Sequence, residues 1–185
     1  EKIIANDYRF VLSPIASGCT IAAYPTWATK NLPVISGTNT ADHITEQGFK
    51  NYLRVCYKDG ALLEQLAKIA VEDYGAKRPA IFYASSETHT VGSKQLTEIL
   101  KNDYGVEVVA SAQFEPDTEK DYNAHITNFM GANADIVFTF SEYTPAGLFL
   151  KQKHAVGWDV QCLSLAGCSN PLIIEIAGKE AAEGF

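Results

Sequence analysis

Apolar positions fall in short runs separated by longer segments with helical spacing. Arg9-Phe10-Val11-Leu12 reads as a strand, and a helix-like stretch follows from Ser17 to about Lys30. Pro33-Val34-Ile35-Ser36 is the next strand, and Tyr52-Leu53-Arg54-Val55-Cys56 is extended. From Asp59 to Tyr74, Leu62, Leu63, Leu66, Ile69 and Ala70 recur at i, i+3, i+4 spacing, which predicts an amphipathic helix. Asp59 is its expected N-cap and Gly75 its stop. The alternation continues with a buried strand at Pro79–Ala84, a helix from about Val91 to Asp103 stopped by Gly105, and a strand at Val106–Ala110. A helix over about Asp117–Met130 turns Tyr122, Ile126 and Phe129 inward, and Asp135–Phe140 is the next strand. Pro145 marks a helical first turn, and that helix ends at Gly157. Val160–Leu163 is a strand, and Pro171 opens a short helix that stops at Gly178.

Strands alternating with helices of this length imply βαβ units and a parallel sheet, so the fold class is α/β. No internal repeat or low-complexity tract interrupts the pattern. The stretch from Thr45 to Asp59 lacks a helix and reads as a crossover between two lobes. The chain opens at Glu1 without Met or a signal peptide, and Ala181-Ala182-Glu183-Gly184-Phe185 reads like a strand about to begin. Both ends predict a fragment of a longer, processed protein.

Composition narrows the partners. The chain has 185 residues, a net charge of −7 and a pI near 5.1, with no cluster of Lys and Arg to meet a phosphate backbone, so nucleic acid is excluded as the partner. No apolar run reaches the roughly 18 residues that a membrane-spanning helix requires. Cys19, Cys56, Cys162 and Cys168 form no CxxC pair, which argues against zinc or thioredoxin-like chemistry. Cys162 and Cys168 are spaced to allow a bridge, although free buried thiols are the expectation.

In open parallel sheets ligands bind at the carboxyl ends of the strands. The loops to inspect are therefore 13–18, 37–40, 84–90, 141–143 and 164–169. They are rich in hydroxyls and amides and hold Glu87, Glu142 and His89 but no Lys or Arg. Such loops hydrogen-bond a small polar solute, and a helix N-terminus with a hydroxyl can hold its carboxylate without a cation. The chain has no GxGxxG, no P-loop, no GxSxG elbow and no HExxH, so enzyme chemistry and cofactors have no signature. The expectation is a binding protein with no cofactor and no metal.

The ordered series Ser17-Gly18, Leu32-Pro33-Val34-Ile35-Ser36, Leu53-Arg54-Val55, Ala80-Ile81-Phe82-Tyr83 and Ile176-Ala177-Gly178-Lys179-Glu180-Ala181-Ala182-Glu183-Gly184 resembles a known family. That family is the substrate-binding proteins of branched-chain amino acid ABC transporters, of the leucine/isoleucine/valine type. The resemblance covers essentially the whole chain. It implies two Rossmann-like lobes with parallel sheets flanked by helices, the type I periplasmic binding protein fold. Residues 1–57 would be part of an incomplete lobe one, and 58–185 lobe two. It implies a solute captured between closing lobes and presented to a membrane permease, in the periplasm or outside the cell, including as a cell-surface lipoprotein. By position, Ser17 matches the serine that binds the ligand carboxylate, and it could equally be a helix N-cap. Asn39 and Thr40 match the loop pair that holds the amino acid. His89 and Glu142 stand where cleft tyrosines occur, with Tyr143 beside them, and Ala166 stands where amino-acid binders carry the acid that pairs with the ligand ammonium. Either Glu142 supplies that carboxylate from the neighbouring loop, or the solute lacks an α-amine. Trp27 and Trp158 are expected to pack, and His43, His125 and His154 to lie at the surface. Alternative readings are a receptor ectodomain of the same fold and, less favoured, an α/β hydrolase. A DNA-binding regulator has no helix-turn-helix or basic patch to support it.

Overall fold

Val34 and Ser36 are buried where β2 (Val34–Ser36) forms the middle of a three-stranded parallel sheet, with β1 (Val11–Leu12) and β3 (Tyr52–Arg54) on either side. The structure is a computed structural model that describes residues 2–185. The chain divides into two units, Glu1–Leu62 and Leu63–Phe185. In the first, α1 (Lys2–Ala5), α2 (Ser17–Ala28) and a 3₁₀ turn at Asp42–Thr45 accompany the sheet. Tyr24 and Trp27 of α2 pack with Val11, Val34, Ile44 and Tyr52. The opposite face carries Leu12, Ile35 and Leu53 in register, and Leu12 and Leu53 are exposed. The extended segment expected at Tyr52–Cys56, within the stretch read as a crossover, supplies the third strand of this sheet, because Leu53 and its neighbours pair with β2.

α3 (Asp59–Lys68) carries the chain onward and ends in a π-helical turn over Ile69–Asp73. The second sheet is parallel, in the order β5-β4-β6-β7, formed by β5 (Ala110–Phe114), β4 (Pro79–Ala84), β6 (Ile136–Phe140) and β7 (Gln161–Ser164). Both of its faces are covered, as all-parallel sheets require. Ala80, Phe82 and Val137 face one core with Phe114, Tyr122, Phe129 and Phe149. Ile81, Ile136, Phe138 and Phe140 face the other, with Leu63, Leu66, Leu96 and Leu100. The period-two division of β4 and β6 explains why these runs are apolar throughout.

The flanking helices are α4 (Glu87–Tyr104), α5 (Asn123–Gly131), α6 (Tyr143–Ala155), α7 (Leu172–Ala177) and α8 (Lys179–Ala182). Gly105 ends α4 in the left-handed conformation at φ 66°, where a side chain would be strained, and its N–H bonds to the Lys101 carbonyl. At Gly147 of α6, an added Cβ would lie 2.9 Å from Ile176 Cγ2. The missing side chain lets α6 and α7 close together.

Several expected boundaries shift. β5 begins at Ala110, so Val106–Val109 is its approach and not the strand; Ala80 pairs with Ala110. α5 starts at Asn123, because 117–122 is a turn region in which Asp121 bonds the Asn123 N–H. Lys179–Ala182 is a helical turn, so Ala181 and Ala182, read as the approach to a strand, belong to α8. His125 is half-buried, with Nε2 2.6 Å from Glu119 Oε1 and its ring against Phe82. Cys162 and Cys168 are free and buried. Among the described residues no helix is long and apolar enough to cross a membrane.

Candidate functional site

Each unit gathers polar groups at the carboxyl edge of its own sheet. In the first, β1 leads to α2 and β2 leads to the loop 37–41. Ser17 is the first residue of α2, and the N-cap position belongs to Ala16, which has no capping side chain. The first N–H groups of α2 therefore lack a side-chain acceptor, and the positive end of the helix is available to an anion. The Ser17 hydroxyl is buried and, among the described residues, accepts only a long bond from the Ala41 N–H, at 3.4 Å. A serine at this place can donate to a carboxylate.

Asn39 has a different role from a solvent-facing ligand. It is fully buried, and its side-chain amide donates to the carbonyls of Pro14 at 2.8 Å and Ile15 at 2.9 Å. Its side-chain oxygen accepts from Thr20 Oγ1 at 2.8 Å and Tyr52 Oη at 3.2 Å. The side chain is saturated by protein and ties the loop after β1 to the loop after β2. Arg54 fixes the second loop from below: Nη1 donates to the carbonyls of Asn39, Thr40 and Ala41 at 3.2, 3.2 and 2.8 Å. Thr40 directs its hydroxyl to the Asp59 carboxyl, and its carbonyl accepts the Asp59 N–H at 2.8 Å. Burial pushes the Asp59 carboxyl above its usual range, opposed by the Thr40 bond. Asp42 caps α3 by accepting the Gly60 N–H at 2.8 Å.

Thr38 lies between these anchored residues and was not singled out from the sequence. It is exposed, its N–H faces Ser36 Oγ at 3.3 Å, and its hydroxyl has no protein partner among the described residues. A hydroxyl at a strand's carboxyl end, one residue before a buried Asn, was the available signal.

In the second unit, strand order reverses beside β4, so the loops after β4 and β6 flank a topological switch point, where ligands bind in such sheets. His89 follows β4. It is not in a loop: Ser86 caps α4, and His89 is the third helical residue. Ser86 Oγ lies 2.8 Å from His89 Nδ1, and burial pushes the imidazole down to about 4. Glu142 follows β6 at the N-cap position of α6, without a capping bond from its side chain. Partial burial raises its carboxyl above the usual range. Its Oε2 would lie 3.4 Å from a Cβ on Gly167, so the carboxylate rests over the turn that starts at Ala166. Tyr143 begins α6 and packs partly against the core. These three residues and the β7 turn share one edge of one sheet. No group of His, Cys, Asp and Glu among the described residues could hold a metal.

The geometry can be set beside known proteins. A family model described as periplasmic binding protein matches residues 1–185. A Leu/Ile/Val-binding protein, BraC3, of Rhizobium johnstonii is 27% identical over all of this chain and 49% of its own length. The chain thus spans about half the length of the curated relatives it matches. A branched-chain amino acid transporter substrate-binding protein of Streptococcus pneumoniae, solved with isoleucine, superposes with a TM-score of 0.85 at 22% identity, over 98% of this chain and 51% of that one. A solute-binding protein of an ABC transporter from R. palustris, solved with 4-hydroxybenzoate, gives 0.83 at 18% identity, over 96% of this chain and 48% of that one. At these identities the two structures establish the fold, that of type I periplasmic binding proteins.

Proposed function

The chain belongs to the periplasmic binding protein family, and we propose that its whole protein is an extracytoplasmic binding component that delivers a small carboxylate-bearing solute to a membrane permease of an ABC transporter. The observation that carries the carboxylate is the start of α2: uncapped N–H groups and a buried Ser17 hydroxyl open the helix, Asn39 ties the loop before it to the loop that carries the exposed Thr38, and these loops hold no basic side chain. A carboxylate docked there is neutralised by backbone N–H groups and hydroxyls.

The second unit supports an amine on the same class of solute. Ala166 offers no carboxylate, but Glu142 lies over its turn from the adjacent loop. A buried ammonium without a counter-charge is strongly unfavourable, so Glu142 is the group assigned to it. His89 and Tyr143 remain assigned to solute recognition, and Asn39 and Thr40 to holding the loop that presents Thr38.

A thermal-shift screen of the mature full-length protein against L-amino acids, simple carboxylic acids and amides tests both parts, since a ligand bound only by the folded state raises its stability. Stabilisation by amino acids, lost in E142Q, is the expected result. Stabilisation by carboxylic acids without an amine, unchanged in E142Q, would retire the role of Glu142. Stabilisation by no acid would retire the reading as a whole.

A further inference from the structure

Ser86 and His89 meet twice at the start of α4. Ser86 Oγ accepts the His89 backbone N–H at 3.2 Å, and the same oxygen lies 2.8 Å from His89 Nδ1. The Ser86 backbone N–H is engaged elsewhere, on the Ala84 carbonyl at 2.8 Å. A neutral imidazole carries one N–H and one lone pair, and a serine hydroxyl has a single proton to place. With Oγ already accepting from the amide, that proton is polarised for donation, and Nδ1 is its one protein acceptor among the described residues. Donation from Ser86 Oγ to Nδ1 leaves the lone pair on Nδ1 and places the imidazole proton on Nε2.

Two features keep the ring uncharged. It stands in the first turn of an 18-residue helix, where the positive end of the dipole opposes an imidazolium. Burial works in the same direction and pushes its pKa down to about 4.

We propose that Ser86 is a positioning residue that holds His89 as its Nε2–H tautomer, so that His89 offers the solute an uncharged N–H donor and selects for an acceptor oxygen. The donor role rests on the solute-binding reading above; the tautomer does not. His89 thus adds no positive charge at its edge of the second sheet, where Glu142 is assigned to an amine.

Long-range ¹⁵N–¹H spectra of the full-length protein at pH 7, with His89 assigned through H89Q, read the tautomer directly. The expected proton position is Nε2 in the wild type and in S86T, which keeps both the cap and the hydroxyl. S86A should show a mixture or the Nδ1–H form. An imidazolium or Nδ1–H form in the wild type overturns the proposal, as does an unmixed Nε2–H form in S86A. In the solute screen, H89Q, which keeps an N–H donor, should respond more strongly than H89L. H89L should bind about tenfold more weakly or worse, as expected when a hydrogen-bond donor to the solute is lost. Equal responses of H89Q and H89L overturn the donor role. If the wild type responds to no solute, the binding reading fails, and the tautomer spectra alone decide the role of Ser86.

Discussion

Thr20 donates its hydroxyl to the Asn39 side-chain oxygen across 2.8 Å, joining the second turn of α2 to the loop after β2. Asn39 is fully buried and also bonds the carbonyls of Pro14 and Ile15 and the hydroxyl of Tyr52. Removing the amide leaves several buried groups unpaired, each of which costs about 1–3 kcal/mol. N39A should therefore lower stability by at least about 2 kcal/mol, and T20A by less, since it removes one partner. Urea denaturation checks both, and equal costs would show that Asn39 is not the hub.

Gly147 has no space for a side chain. A Cβ there would lie 2.9 Å from Ile176 Cγ2 and 3.3 Å from Ile173 Cγ1. Alanine ordinarily favours a helix by about 1 kcal/mol over glycine, but overpacking costs about 1–3 kcal/mol. G147A is expected to lower the melting temperature, and I176V should recover part of the loss. A melting temperature raised by G147A would mean that α7 yields readily.

Asp42 reaches from a 3₁₀ turn to cap the Gly60 N–H of α3. D42A should cost about 1 kcal/mol, in the range for lost N-caps, and D42N should cost much less. Equal losses in the two variants would indicate that charge, and not capping, matters at this position.

The stability of the protein should carry a signature of His89. Its folded-state value of about 4 lies below the ordinary 6.5, so the neutral ring contributes stability that is complete above pH 6.5 and is lost as pH falls through 4. The difference between wild type and H89Q in urea midpoint should shrink over that interval. A constant difference from pH 7 to pH 4 would exclude the shift. Comparison within the pair removes the contribution of Asp59, whose raised value acts in the opposite sense.

The thiols should divide by burial. Cys19 is exposed, whereas burial pushes Cys162 up to about 12 and Cys168 up to about 11. A thiol reagent at pH 8 should modify Cys19 first in the native protein and leave Cys162 and Cys168 unreacted until unfolding. Rapid native labelling of Cys162 would contradict the packing of that core.

Much of the architecture was legible in residue order. The unbroken apolar runs of β4 and β6 announce strands buried on both faces, and Gly105 announces the end of α4, because these signals arise from a residue's own chemistry and its near neighbours. β5 was misplaced, since Val106–Val109 has the composition of a strand but pairing with β4 selects Ala110–Phe114. Strand propensity describes a fit to a half-buried surface, and register is settled by the partner. The start of α4 was placed late because Thr88, His89 and Thr90 look like loop, although Ser86 caps them into a helix.

The polar positions divide in the same way. The sequence by itself determined which loops end the strands, that they are rich in hydroxyls and lack Lys and Arg, and that Ser17 opens a helix. Tertiary structure decided which of those groups remain available. Asn39 finds its side-chain partners 13 to 25 residues away and is consumed by them, Thr40 turns to Asp59, and Thr38 keeps a hydroxyl with no protein partner among the described residues. Glu142 meets the Ala166 turn only because β6 and β7 pair side by side. A hydrogen bond is a relation between two groups, and its second member can be known only when the chain has brought it near.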